Sequence, residues 1–156
     1  MAIARKLKEY LDKSEAPYKV STHQEVYTAQ EVAATLHVPG KDIVKVVIVK
    51  TEGKFIMAVL PADHKVNVDK LRTVLRDPEA RLATEGEFKG LFPDCDVGAM
   101  PPFGNLYNVG VYVDKSLAED EEIVFQAGSH VETVKMKYRD FDRLVGPEVI
   151  DFGKHL

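Results

Sequence analysis

Four stretches carry residue types that could do chemistry. The first is Lys45, inside the β-branched run Ile43-Val44-Lys45-Val46-Val47-Ile48-Val49. Such a run predicts a strand. Alternation then places Lys45 on the face of Ile43, Val47 and Val49. An ammonium among apolar neighbours must reach water, find a partner or lose basicity. It is either an edge lysine that discourages aggregation or a fixed cation beside a substrate. The second stretch is Gly98-Ala99-Met100-Pro101-Pro102-Phe103-Gly104. Its glycines allow close backbone approach, and its prolines stiffen the middle while removing donors. This is a rigid turn, or a loop that presents backbone amides to a carbonyl or an oxyanion. The third is Gly128-Ser129-His130, a hairpin turn or a ligand-facing one. The fourth is Tyr27-Thr28-Ala29, a plain helix cap or a set of first-turn amides facing a ligand.

Other chemistries lack their residues. The five histidines, His23, His37, His64, His130 and His155, are scattered without metal-ligand spacing. Cys95 lies in Pro93-Asp94-Cys95-Asp96, where the carboxylates oppose a thiolate. There is no Walker sequence, no Gly-x-Gly-x-x-Gly and no Gly-x-Ser-x-Gly. A net charge of −4 argues against sequence-independent coating of nucleic acid, though not against gripping one RNA end. Lys135, Lys137 and Arg139 alternate and could line a basic strip or a solvated face. The single cysteine precludes an internal disulfide and suits a reducing cytosol. The charged, amphipathic N-terminus reads as neither signal peptide nor membrane span.

The elements that must position these residues follow from periodicity and turn signals. A helix is expected from Ala2 to about Lys13, and a short strand over Tyr18–His23. The capping box Thr28-Ala29-Gln30-Glu31 opens a helix that stops by Pro39-Gly40. Ile43–Val49 and Lys54–Leu60 form a hairpin around Glu52-Gly53. Pro61–His64 is a connector, and Val68, Leu71 and Leu75 mark a helix ending before Asp77-Pro78. A second capping box at Thr84 opens a short helix. Strands are expected at Leu106–Val113, Glu122–Gln126, Val131–Met136 and Pro147–Phe152, with a helix at Tyr138–Leu144. No repeat or linker divides the 156 residues. The expected class is α+β, a single domain with a mixed, mostly antiparallel sheet.

In order and spacing, these motifs resemble the YbaK/prolyl-tRNA-synthetase-associated family of aminoacyl-tRNA editing domains. The likeness runs from about Tyr18 to Phe152. It rests on Thr28-Ala29-Gln30-Glu31-Val32-Ala33, on Lys45 in its strand, and on Gly98-x-x-x-Pro102 leading into Phe103-Gly104. Val111-Tyr112-Val113-Asp114 and Phe125-Gln126-Ala127-Gly128-Ser129-His130 continue it. The resemblance implies a partly open barrel flanked by helices. It implies hydrolysis of mischarged aminoacyl-tRNA, often tRNA for proline carrying alanine or cysteine, by a free-standing cytoplasmic protein. No metal or organic cofactor is implied, and neither DNA nor a membrane. The partners would be the tRNA acceptor end and a prolyl-tRNA synthetase.

By the same resemblance, Lys45, Gly98 and His130 are the catalytic candidates. Lys45 would hold the terminal nucleotide near the ester, and the Gly98–Pro102 amides would bind the carbonyl. Thr28, Ala29, Met100, Pro102, Gly104, Gly128 and Ser129 would bind substrate. Small acyl groups would be selected by exclusion of larger ones, with Met100 and His130 closing the pocket. Some members carry a polar residue directly after the lysine, where this chain has Val46. Two alternatives stand beside this reading. One is a non-catalytic module that binds tRNA ends, nucleotides or a protein partner in the same pocket. The other is a different hydrolase with His130 as general base.

Overall fold

The computed structural model describes residues 4–156. Helix α1 (Arg5–Ser14) buries Leu7 and Leu11 in the main core and ends at Glu15 in the left-handed region. The expected start at Ala2 lies outside the described residues. Strand β1 (Tyr18–Thr22) follows, then α2 (Ala29–Leu36) behind the Thr28 capping box. A 3-10 turn, Gly40–Asp42, delivers the chain to β2 (Val44–Thr51). Gly53, at φ +75°, makes the tight return into β3 (Lys54–Pro61). Next come β4 (His64–Val66), α3 (Val68–Leu75), β5 (Arg81–Leu82) and α4 (Glu85–Phe88). The chain closes with β6 (Gly110–Asp114), β7 (Glu122–Gln126), β8 (Glu132–Lys137), α5 (Tyr138–Val145), β9 (Glu148–Ile150) and β10 (Gly153–His155).

These strands form three ladders, ordered β5-β2-β3-β6-β9, β1-β8-β7 and β10-β4. β3–β6 and β6–β9 are parallel, and the other pairs are antiparallel. One parallel bridge, Ile43 to Val124, links the five- and three-stranded sheets. The architecture is therefore α+β with mixed sheets, and the ladders do not close into a barrel among the described residues. The hairpin β2–β3 is apolar on both faces. Val44, Ile48, Met57 and Val59 face the main core, which also holds Phe103, Phe125 and Phe141. Val49, Ile56, Ala58 and Leu60 pack against Leu71 of α3 and Phe152. A central strand buried on both sides has no polar alternation, which is why this run is uninterrupted apart from Lys45.

Three expectations need correction. The segment expected as a strand from Leu106 is a 3-10 turn, Gly104–Tyr107, followed by Asn108 at φ +58°. Pairing starts only at Gly110, because the turn already buries Tyr107 against Phe92. The expected final strand, Pro147–Phe152, stops at Ile150 as β9, and a further strand, β10, follows after a break at Asp151 and Phe152. The Asp114 carboxylate, accepting from the Phe152 and Gly153 amides at 2.8 and 2.6 Å, fixes that break. Finally, the expected connector at His64 pairs with β10.

Candidate active site

β5 pairs with β2 only at Val49 and Lys50. From Val44 to Val47 that edge of β2 has no strand neighbour among the described residues, and all four residues line a cavity of about 260 Å³. An open edge carries backbone N–H and C=O groups that a ligand can pair. Phe125 and Gln126, at the end of β7, form the facing wall. Tyr27, Thr28, Ala29 and Gln30 enter from the start of α2, and Gly98 and Met100 from the proline loop.

Lys45 lines this cavity half-buried, and its neighbour across the hairpin is Leu60. Its Nζ donates to the His64 carbonyl at 2.7 Å. An ammonium has three donors, so two remain for a ligand. Burial pushes its pKa below the usual lysine value.

The capping box accounts for part of the α2 terminus. Thr28 Oγ1 accepts from the Glu31 amide at 3.0 Å, and the Glu31 carboxylate accepts from the Thr28 amide at 3.1 Å. The amides of Ala29 and Gln30 are the remaining first-turn donors at the cavity.

Gly98 adopts φ +87°, a conformation that disfavours any side chain. Its amide points at Met100 Sδ, 3.3 Å away. A thioether is a weak acceptor, so an incoming carbonyl oxygen can take over this donor. The neighbouring Ala99 amide is already spent on the Asp96 carbonyl at 3.0 Å, and Pro101 and Pro102 have no N–H. The Met100 amide makes no hydrogen bond among the described residues, so the loop offers two donors, Gly98 and Met100, rather than a row of amides.

His130 lies behind Gly98, off the cavity wall. Its Nε2 is 3.1 Å from the Val97 carbonyl. A carbonyl only accepts, so Nε2 is the donor in this contact. Its Nδ1 is buried without a hydrogen-bond partner among the described residues. The ring also packs on Tyr27, with centroids 4.8 Å apart.

The structure thus brings Lys45, Gly98, Met100, Thr28 and Ala29 to one cavity, with His130 directly behind it. Four other predicted residues stand elsewhere. Gly128, at φ +102°, packs so tightly on α1's entry that an added Cβ would lie 2.7 Å from Ala4 Cβ. Ser129 is buried, its Oγ 3.5 Å from Glu132. At Gly104 a Cβ would meet the Val109 carbonyl at 2.6 Å. Pro102 is buried beside it. These residues shape the loops that carry the site.

Gln126, Gln30 and the wall residues Val44 and Val47 were not predicted as site residues. For Gln126 a signal existed, a lone polar residue ending the apolar β7 run. The Cys95 thiol is pushed up to about 12, by burial first and then by Asp94 and Asp96. It is no nucleophile at neutral pH. Among the described residues, no group of three or more His, Cys, Asp or Glu could hold a metal ion, and no helix is long and apolar enough to cross a membrane.

The sequence and the fold match those of known proteins. A profile described as "Aminoacyl-tRNA editing domain" matches residues 23–144. The Multifunctional Ser/Thr-tRNA deacylase ProXp-y of Escherichia coli is 28% identical over 149 residues, covering 92% of this chain and 89% of that protein. A proline–tRNA ligase of Staphylococcus epidermidis is 33% identical over 119 residues, 75% of this chain but 21% of the ligase. The crystal structure of a hypothetical protein superposes with a TM-score of 0.86 at 25% identity, covering 96% of this chain and 100% of the other. This chain belongs to the YbaK/ProX family of aminoacyl-tRNA editing domains, a family of aminoacyl-tRNA deacylases, which are hydrolases.

Proposed function

We propose that this chain acts as one editing domain that hydrolyses mischarged aminoacyl-tRNA in trans, in the cytoplasm. The carrying observation is that Lys45 and Gly98 line one small cavity beside the open edge of β2. An aminoacyl ester is already activated, so positioned water can attack its carbonyl carbon without a protein nucleophile. The Gly98 N–H donates to the developing oxyanion as Met100 Sδ gives way. The ester C–O bond then breaks, and the terminal ribose oxygen takes a proton and leaves with the tRNA. Lys45, held by the His64 carbonyl, spends its two remaining donors on the terminal nucleotide's phosphate or ribose.

The acyl group is small. Val44, Val46, Val47, Met100 and Phe125 line an apolar enclosure that excludes bulky side chains. Alanine, cysteine, serine and threonine all suit this size. The hydroxyl acids are favoured by Gln126, a polar residue in the cavity lining whose Nε2 donates to the Val26 carbonyl, and by the likeness to a Ser/Thr-tRNA deacylase. The tRNA for proline carrying alanine or cysteine is the second substrate class, and a prolyl-tRNA synthetase is the partner that would supply it. A deacylation panel over Ser-, Thr-, Ala- and Cys-charged tRNAs tests this directly. Ester loss above the uncatalysed rate with at least one of the four is expected; none with any of them would refute the proposal.

A further inference from the structure

Tyr27 is among the most exposed large apolar residues of the protein, at 59%, yet it stands at the mouth of the active-site cavity. It is held at several points. The ring lies 4.8 Å from the His130 ring, tilted by 50°. Its hydroxyl donates to the Glu25 carboxylate, and its amide donates to Glu31 at 3.4 Å. His130 is itself fixed by the Val97 carbonyl. A water-facing aromatic ring so fixed loses little freedom when a second ring lies on its open side.

The cavity volume indicates what that second ring is. About 260 Å³ is below the roughly 300 Å³ at which pockets begin to enclose drug-sized ligands. An acyl group and the ester end of a ribose fill it. The base on that ribose must then lie outside, at the mouth, where the exposed Tyr27 stands. We infer that Tyr27 is a stacking platform for the terminal adenine of the tRNA acceptor end, and that His130 is the residue that positions it. This rests on the deacylase reading for the identity of the ligand. Stacking needs no base-specific hydrogen bonds, which suits a terminal nucleotide common to all tRNAs. It also supplies affinity that a chain of net charge −4 does not obtain from phosphate contacts alone.

The test uses an uncharged acceptor-stem minihelix with 2-aminopurine in place of the terminal adenine and an anisotropy label at the other end. Tyr27 is exposed, so Tyr27→Ala should fold, and circular dichroism checks this. Wild-type protein should quench the 2-aminopurine at saturation, and Tyr27→Phe should retain the quench. Tyr27→Ala should lose it and bind about tenfold or more weakly, the range for losing one base–aromatic stack. No quench by wild type, or an equal quench by Tyr27→Ala, would overturn the inference. Hydrolysis of charged tRNA is measured separately. Tyr27-dependent quenching without hydrolysis would sink the deacylase reading and keep the platform. Hydrolysis without Tyr27-dependent quenching would do the reverse.

Discussion

The Lys45 ammonium donates a 2.7 Å hydrogen bond to the His64 carbonyl, so the cavity's cation is held by main chain rather than by a carboxylate. Among the described residues no counter-charge compensates its burial, which is why its pKa lies below the usual lysine value. A lysine with a depressed folded pKa binds fewer protons folded than unfolded as pH approaches its ordinary range. Stability therefore rises with pH in that window, and the charged form costs stability below it. Lys45→Met should leave the unfolding free energy within about 1 kcal/mol of wild type or raise it, and should flatten the alkaline rise. Chemical denaturation at pH 7 and pH 10 measures both.

His130 offers a second prediction. Its Nε2 donates to the Val97 carbonyl and its ring packs on Tyr27, so we propose that it holds Gly98 and Tyr27 in place. His130→Ala should raise KM for aminoacyl-tRNA about tenfold while kcat falls by only about threefold. A general base would instead lose about 10²-fold or more in kcat and would leave KM alone. Steady-state kinetics separate the two.

Much of this arrangement was legible in the sequence, for local reasons. Both capping boxes are written in four consecutive residues, and both form. The hairpin around Gly53 is fixed by its turn and by its apolar run. Lys45 stood out because a charge broke that run, and Gly98 because a positive φ favours glycine. What was hidden depends on distant partners. Nothing near His64 announces that it pairs with His155, and nothing near Leu106 says that a turn precedes the strand. The cavity itself arises because β5 covers only two residues of β2, a property of the sheet and not of either strand. Gly104, Gly128 and Ser129 carry the right residue types but spend them on packing.

Asp120 gives a pH prediction of unusual sign. Burial first, and then the nearby Asp42 carboxylate, push its pKa up to about 7. Its Oδ2 is buried without a hydrogen-bond partner among the described residues. The folded state therefore binds more protons than the unfolded state between the ordinary aspartate pKa of about 4 and the raised value. Stability should fall as pH rises through that window. Asp120→Asn should remove this slope and be more stable than wild type at pH 8. Urea midpoints at pH 5 and pH 8 for both proteins check it.

Asp114 behaves in the ordinary way. Burial acts to raise its pKa, but hydrogen bonds from Ser116, Phe152 and Gly153 outweigh it and hold the carboxyl below its usual value. Its contribution is complete above the unfolded aspartate pKa and is lost as pH falls through the lower folded value. Asp114→Asn should destabilise the protein by about 2–4 kcal/mol at pH 7, because three main-chain donors, the amides of Ser116, Phe152 and Gly153, lose a charged acceptor. The C-terminal strand β10 should exchange its amides faster, which hydrogen exchange would resolve.

The central claim is that Lys45 and Gly98 act on one ester in one cavity. Single-turnover deacylation of Ser- and Ala-charged tRNA by wild type and Lys45→Met, with folding verified, tests it most directly. The expected result is hydrolysis by wild type and a loss of about 10²-fold in Lys45→Met, comparable to removing one preorganised charge-stabilising donor. Equal rates in the two proteins would contradict it.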